Sequence, residues 1–478
     1  MDPIEYNGSC SAVVEQDHLR TIFALALSSM YRKEVPLYGD LVSIVRDINS
    51  QVLFRTRLGL GSDSSERLDV ERHGAIRLGT PAELQTVRRI FALLGMRAVD
   101  YYDLSVAGLP MHATAFRSVD RESLARNPFR VFTTLLRPEL LDSDEARMLA
   151  LKLLERRQIF TEKLLEWLDI ADSQGGRLKA DQIEHFIPQA LLTFSWRPTA
   201  AATYAEYEEL REEHPILADV ACFQSAHINH LTPRVLDIEA AHRAMQAAGM
   251  AVKSAIEGPP QRQHPILLRQ TSFLALEEPV RFPYNDSIVA SDLVSGSHKA
   301  RFGEIEERGA ALTAKGRQLY DELQSAALCA GQSIIEQSRR DAIVAAVFDR
   351  FPDDWSALRS QGLLFCEYSC DTTRIKTAMS LEKKSHFTPE LLEALITEGV
   401  IQARPITYED FLPFSAAGIF RSNLQSNFKQ AAIQSLARYD RSGLECALGC
   451  KVLSSETLYA GIEEESLERC AVALGLVR

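Results

Sequence analysis

Two histidine–arginine pairs are the first residues of this chain whose types and spacing indicate chemistry. His73 and Arg77 stand four residues apart in "HGAIR", and His230 and Arg234 repeat that spacing in "HLTPR". Side chains alternate across a strand, so residues four apart on a strand share one face. A lone strand histidine is more often a core residue than a ligand, but two at equivalent places of a repeat favour a shared metal site.

Glu304, in "FGEIEERG", is the carboxylate that would complete such a site. It lies inside a predicted strand, whereas Glu306, Glu307 and Arg308 approach the end of that strand and are expected to be solvated. Two histidines and one carboxylate form the facial triad that leaves positions open on Fe(II) for substrate and O₂. This donor set differs from the cysteine-rich ligands of structural zinc sites.

His227 is an alternative to His230, because it lies only three residues earlier in "HINHLTPR". On a strand these two side chains point to opposite faces, so both cannot bind one metal without a bulge. We take His230 as the ligand because it matches His73 in the repeat, and we leave His227 as the second candidate.

Two similar strand-rich blocks, residues 71–137 and 219–309, position these side chains. Each begins with a short apolar strand that carries the His-x-x-x-Arg pattern, continues into an amphipathic helix ending at Gly-Met, and then forms further strands. The pattern predicts the order β-α-β-β-β twice, and repeated units usually pack together to bury a shared core. A pseudo-twofold axis between the copies would bring His73 and His230 face to face.

The remaining sequence is mainly helical, with apolar residues at helical spacing, which predicts an α+β protein. We expect an N-terminal helical segment (1–60), a first module (61–140), a helical insertion (141–218), a second module (219–310) and a C-terminal helical and short-strand region (311–478) that closes the site.

Composition and charge favour a reduced, cytoplasmic protein. The 478 residues carry a net charge of −12 without a clustered basic patch, which argues against nucleic-acid binding. Neither a membrane-length apolar run nor a secretory signal pattern is present, and eight cysteines in so long a chain do not form a disulfide framework. The sequence leaves the oligomeric state open.

Four strings taken together carry a family resemblance: "RHGAIRLGT", "HINHLTPR", "FGEIEERG" and "ITYEDFLPFSAAGIFRSNL". In this order they resemble the bacterial 2-oxoadipate dioxygenase/decarboxylase family, also called hydroxyglutarate synthase, of the vicinal-oxygen-chelate superfamily. The resemblance implies that the two modules form an incomplete β-barrel around the metal, with large helical insertions.

The resemblance also assigns residue roles. It implies that His73, His230 and Glu304 bind Fe(II) and that Arg77, beside the iron, holds the far carboxylate of the substrate, a task suited to a guanidinium. The alternative for Arg77 is a structural ion pair on the barrel rim. Arg234, its counterpart in the repeat, follows Pro233 and receives no role in the site.

Further substrate contacts are implied for His73, Phe414 and Ser415. The "FLPFSAAGIF" segment covers the substrate in the family, but Phe414 replaces a smaller aliphatic residue there, which leaves the chain length of the substrate open. The alternative is an ordinary packed loop.

The implied reaction is the O₂-dependent decarboxylation and hydroxylation of a 2-oxo dicarboxylic acid, namely 2-oxoadipate to 2-hydroxyglutarate and CO₂ in lysine catabolism. Two alternatives remain: another metal-dependent reaction of the superfamily (isomerase, lyase or extradiol dioxygenase), or a non-catalytic module that binds small molecules. The product's handedness is not determined by the sequence.

Overall fold

The structure is a computed structural model that describes residues 13–56, 65–284, 293–331, 336–371, 386–412 and 440–476. The chain divides into two compact units. Unit 1 comprises residues 1–257, 270–307 and 411–453, and unit 2 comprises residues 258–269, 308–410 and 454–478. The five segments predicted from the sequence were placed one after another along the chain, and they do not coincide with these two units. Their boundaries stay a prediction.

Unit 1 begins with helices that pack an apolar stripe against its core. Leu19, Phe23 and Leu27 recur every fourth residue of the first helix and are all buried, as expected of an amphipathic helix. Pro36 begins the second helix, where a missing amide hydrogen costs little. The helices are α1 (Gln16–Glu34), α2 (Pro36–Thr56) and α3 (Ser65–Val70).

The first β-α-β-β-β module follows directly. Its elements are β1 (Arg72–Leu78), α4 (Pro81–Leu93), β2 (Arg97–Asp103), β3 (Met111–Arg117), α5 (Arg121–Arg126) and β4 (Arg130–Leu136). Strand β1 runs parallel to β4, and β4 runs antiparallel to β3. Thr80 and Glu83 form a capping box at the start of α4, which fixes the turn after β1.

The predicted helical insertion consists of five helices, three of which have a serine or threonine side chain as N-cap. They are α6 (Asp144–Glu155), α7 (Glu162–Ser173), α8 (Ala180–Phe194), α9 (Tyr204–Glu213) and α10 (Pro215–Ala221).

The second module starts at a shorter strand than the sequence predicts. Strand β5 covers only Leu231–Pro233, so His230 precedes it and Arg234 follows it. Pro233 has no amide hydrogen for a ladder bond, which limits the strand. Strand β5 pairs antiparallel with β1, with Leu231 opposite Gly74, so it becomes the edge of the sheet β2-β3-β4-β1-β5.

The second module also contains one more strand than its repeat partner. The segment "TSFLALEEPVRF" contributes to two strands, because its first part pairs with β9 and its second part pairs with β8. The elements are α11 (Ile238–Ala247), β6 (Leu268–Ser272), β7 (Glu277–Pro283), β8 (Leu293–Lys299) and β9 (Glu304–Arg308). A parallel bridge between Arg234 and Glu306 places β9 beside the chain that leaves β5.

Unit 2 combines helices with a two-stranded antiparallel sheet. Its elements are α12 (Ala314–Gly331), α13 (Gln337–Phe348), α14 (Trp355–Ser360), β10 (Cys366–Cys370), α15 (Pro389–Thr397), β11 (Ile401–Pro405) and α17 (Ser455–Leu474). Among the described helices, α16 (Asp440–Leu448) lies between these elements in the sequence and belongs to unit 1.

The predicted α+β class is confirmed, with two related modules that contribute to one partly open sheet and with helical insertions between and after them. Among the described helices, none combines the length and the apolar character that a membrane crossing requires.

Candidate metal centre

Three predicted ligands converge in the core of unit 1. His73 lies on β1, His230 immediately precedes β5, and Glu304 begins β9; all three are buried. The pairing of Gly74 with Leu231 places the two histidines side by side, with ring centroids 5.3 Å apart. One donor atom from each of the three residues lies within 4.8 Å of the other two. This spacing allows a single ion to contact all three residues.

The surroundings hold Glu304 in one orientation. Its Oε2 accepts hydrogen bonds from Thr232 Oγ1 at 3.0 Å and from Gln270 Nε2 at 2.8 Å. The same Oε2 lies 3.2 Å from His73 Nε2 and 3.7 Å from His230 Nε2. Among the residues described, Glu304 Oε1 and both ring nitrogens of His230 are buried without a hydrogen-bond partner. Buried polar atoms are rarely left unpaired, so these donor atoms fit a bound cation.

For His230 and Glu304, the electrostatics favour the protonation states that bind a metal. Burial lowers the pKa of His230 to about 4, although Glu304 opposes the shift, so this imidazole is neutral near pH 7. Burial opposes ionisation of Glu304, but His230 and His73 outweigh it and lower the pKa of that carboxyl group. Metal ligands must be neutral imidazoles and ionised carboxylates.

Glu306 corrects the expectation that the end of β9 is solvated. Glu306 and Arg308 are buried, and Glu307 is half-buried. Glu306 Oε2 lies 2.8 Å from His73 Nδ1, and its Oε1 lies 3.9 Å from an Arg130 nitrogen. The acid can be buried because cations from other segments surround it, and sequence reasoning missed it for that reason. The available signal was its spacing of two from Glu304, which puts both carboxylates on one face.

His73 therefore lies between two carboxylates. Burial alone would lower its pKa, but Glu306 and Glu304 together raise it above the ordinary value. A carboxylate behind a metal-binding histidine fixes the ring and its tautomer, which increases the donor strength of the opposite nitrogen.

Comparison with known proteins decides the family. A family model described as 2-oxoadipate dioxygenase/decarboxylase matches residues 23–423 of this chain. This chain belongs to that family. The 2-oxoadipate dioxygenase/decarboxylase of Pseudomonas putida is 47% identical over 470 residues, which are 97% of this chain and 98% of the relative. The protein of the same name from Escherichia coli K12 is 44% identical over 463 residues, 96% and 99% of the two chains.

A solved structure of the family gives the same result. The crystal structure of the Pseudomonas putida hydroxyglutarate synthase in complex with 2-oxoadipate has a TM-score of 0.85 and 44% sequence identity to this chain. The match covers 98% of this chain and 100% of that structure. The family resemblance carried by the four sequence strings is confirmed.

The structure separates His227 from the family's candidate ligands. The Nε2 atom of His227 lies 3.2 Å from Asp219 Oδ1, and His298 Nε2 contacts the same oxygen at 2.9 Å. Asp219, His227 and His298 are all buried and form a second group with ligand-like spacing. Within the described residues, His230 and His227 thus belong to different clusters.

Arg77 forms the ion pair that sequence analysis gave as the alternative to a substrate contact, and its role as a substrate ligand stays a prediction. It shares a face of β1 with His73, is half-buried, and its Nη1 lies 2.5 Å from Asp219 Oδ2. Its positive charge lowers the pKa of His230, after the larger effects of burial and of the neighbouring charges. Arg234 instead pairs with buried Glu71 at 3.4 Å.

Phe411 borders the candidate site and was not singled out by the sequence. Its buried ring lies 5.1 Å from the His73 ring and 5.4 Å from the Phe132 ring, centroid to centroid. It begins the "FLPFSAAGIF" segment that sequence analysis had already marked. Phe414 and Ser415, the predicted substrate contacts in that segment, lie outside the described residues.

Proposed function

We propose that this protein is an Fe(II)-dependent dioxygenase that converts 2-oxoadipate and O₂ into 2-hydroxyglutarate and CO₂. The observation that carries the proposal is the buried convergence of His73, His230 and Glu304 in a chain of the 2-oxoadipate dioxygenase/decarboxylase family. Two histidines and one carboxylate suit non-haem Fe(II) with open positions. A cytoplasmic location and a role in lysine catabolism belong to the same proposal.

The reaction balances without a second organic substrate. C1 of 2-oxoadipate leaves as CO₂, C2 becomes a carboxylate that takes one oxygen atom of O₂, and C3 takes the other as a hydroxyl group. Bound Fe(II) supplies chelation of the 2-oxo acid group and activation of O₂. Cleavage of the C1–C2 bond and oxidation at C3 supply the electrons that reduce O₂.

Some residues of the site would bind the iron, and others would position those ligands. His73, His230 and Glu304 would hold the iron, while hydrogen bonds from Thr232 and Gln270 keep the Glu304 carboxylate in place. The ring of Phe411 against His73 would exclude water from the reacting atoms.

Arg77 would bind the carboxylate of the substrate that is remote from the iron. A guanidinium recognises a carboxylate through two parallel charge-assisted hydrogen bonds, which selects a dicarboxylic acid. His73, Phe414 and Ser415 would complete the substrate contacts, and the size of Phe414 would set the chain length that fits.

The test is oxygen consumption by anaerobically Fe(II)-loaded protein after addition of 2-oxoadipate. CO₂ and 2-hydroxyglutarate are measured in the same reaction, in wild type, in Glu304→Gln and in Glu307→Gln as the matched control from the same strand. We expect equal amounts of O₂ consumed, CO₂ released and hydroxy acid formed in wild type and in the control, and loss of all three in Glu304→Gln.

Other outcomes separate the components of the proposal. Uptake of O₂ only with a shorter or longer 2-oxo acid would keep the chemistry and change the substrate. Turnover without O₂, supported by Zn²⁺, Ni²⁺ or Mn²⁺, would replace the dioxygenase with another metal-dependent reaction. Failure of every 2-oxo acid and every metal would reject an enzymatic role for the site.

A further inference from the structure

Arg77 contacts a network of buried polar side chains. Asp219, on α10, contacts Arg77 Nη1 through Oδ2 at 2.5 Å and is 4% exposed. Its other oxygen, Oδ1, lies 2.9 Å from His298 Nε2 and 3.2 Å from His227 Nε2. The Tyr207 hydroxyl lies 2.9 Å from His298 Nδ1. One carboxylate thus connects Arg77 on β1 to helices α9 and α10 of the insertion and to β8.

Aromatic packing restrains the two histidines of this network. The Trp196 indole stacks on His298 at 6.0 Å between centroids with a 9° interplanar angle. The same indole meets His227 edge-on at 4.8 Å and 87°. Side chains packed in this way have few alternative rotamers, so the position of Asp219 is tightly defined.

The charge of Asp219 is maintained by its partners. Burial opposes ionisation, but Arg77 and the two histidines outweigh it and hold the pKa of Asp219 well below its ordinary value. A buried carboxylate of this kind is stable only with its cation, and it holds that cation in turn. The spacing of Asp219, His227 and His298 also resembles a metal site, but an ion there would lie against the positive Arg77.

We propose that Asp219 is the positioning residue for Arg77, and that His227 and His298 fix Asp219 in turn. Through this network the helical insertion sets the orientation of the Arg77 guanidinium, which binds the substrate carboxylate remote from the iron. Preference for a dicarboxylic 2-oxo acid then depends on Asp219, whose carboxylate contacts Arg77, His227 and His298. This inference rests on the proposed function of Arg77 as the substrate's carboxylate ligand.

The experiment compares anaerobic binding of 2-oxoadipate and 2-oxohexanoate to Fe(II)-loaded protein by calorimetry. The two acids have the same chain length, and only the first has the remote carboxylate. A misplaced binding group can cost about 10²-fold, so we expect Asp219→Asn to weaken 2-oxoadipate binding by about 10–100-fold. Binding of 2-oxohexanoate and the iron content should not change.

Steady-state kinetics add a second readout. We expect the KM for 2-oxoadipate to rise far more than kcat falls, and Asp219→Glu to restore part of the loss. Tyr207→Phe, which removes one hydroxyl and is the gentler variant if Asp219→Asn does not fold, should give a smaller loss of the same kind. Asp172→Asn breaks the exposed pair with Arg89 and serves as the matched control without effect on binding.

A double-mutant comparison distinguishes positioning from a general structural role. If Asp219 acts through Arg77, Asp219→Asn adds no further loss of 2-oxoadipate binding to Arg77→Ala. Full additivity would overturn the proposal, as would an unchanged preference for 2-oxoadipate in Asp219→Asn. A second equivalent of bound metal that disappears in Asp219→Asn would assign the cluster to metal binding instead.

Failure of the proposed function gives a different result. In that case the wild-type protein itself shows no preference for 2-oxoadipate over 2-oxohexanoate and no O₂-dependent turnover. That outcome rejects the substrate assignment and the positioning role together, whereas a wild-type preference that survives in Asp219→Asn rejects the positioning role alone.

Discussion

The Nδ1 atom of His73 lies 2.8 Å from a carboxylate oxygen of Glu306, and both side chains are completely buried. Removing the negative charge of Glu306 should allow the His73 ring to move and should weaken His73 Nε2 as a metal donor. We expect Glu306→Gln to lower the affinity for Fe(II) by about 10–100-fold, the range for residues that support a metal ligand. The measurement is an anaerobic metal titration, with Co²⁺ as a spectroscopic substitute. Glu307→Gln is the control, and wild-type affinity in Glu306→Gln would contradict the role.

His230 and His227 should differ in their effect on metal content. His230→Gln removes a donor atom from the cluster with His73 and Glu304. Metal affinity should therefore fall by more than about 10–100-fold, which is the loss expected for a residue that only supports a ligand. His227→Gln removes a contact to Asp219 instead and should leave the metal content unchanged. Elemental analysis of both variants after Fe(II) loading checks the prediction, and the reverse result would make His227 the ligand.

Gly74 should be required for the close approach of the two histidine-bearing segments. A Cβ atom there would lie 2.4 Å from Ile228 Cδ1 and 3.1 Å from the His230 carbonyl oxygen. Gly74→Ala should cost about 1–3 kcal/mol of unfolding free energy and should also reduce metal affinity, because the strain acts on His230.

Gly79→Ala is the matched control for that variant. Its Cβ atom would lie 2.2 Å from Leu154 Cδ2, so it should destabilise the fold without an effect on metal binding. Urea denaturation and metal titration of both variants separate the two effects. Equal metal affinities in the two variants would contradict the prediction for Gly74.

Asp219 should make folding stability depend on acid pH. Its folded pKa lies well below the ordinary 3.8 because Arg77 and the histidines outweigh burial. The stabilisation is therefore fully present above the unfolded pKa and is lost as pH falls through the folded pKa.

Urea midpoints measured from pH 7 down to about pH 2 test this dependence. Wild type should lose more stability over the acid part of that range than Asp219→Asn does. Asp69→Asn, at an exposed side chain, should keep the wild-type slope. A variant slope identical to wild type would show that the charge of Asp219 does not stabilise the fold.

The repeat explains why the sequence alone reached the candidate ligands. His73 and His230 occupy matching places in two similar blocks, and local periodicity encodes strands and helices well enough to show the match. The prediction that His227 and His230 point apart came from strand alternation. The structure agrees in outcome, although these two residues precede β5 rather than lie on it, so the reason differs.

Glu306 and Asp219 show what only the tertiary structure decided. By sequence, Glu306 belongs to a charged strand end, which is typically solvated. It is buried because His73 and Arg130, distant in sequence, bring compensating charge to it. Asp219 lies in a helix that is far along the sequence from both His298 and Arg77. Nothing in its local sequence indicates that the three side chains meet.

The physical reason is the range of the interactions involved. Strand and helix patterns depend on residues close in sequence, so the sequence by itself determined the two modules and the candidate ligands, His73 and His230, that repeat in them. Burial of a charge depends on partners brought together by folding. The carboxylate behind His73, the ring of Phe411 over it and the network behind Arg77 were therefore decided only by the tertiary structure.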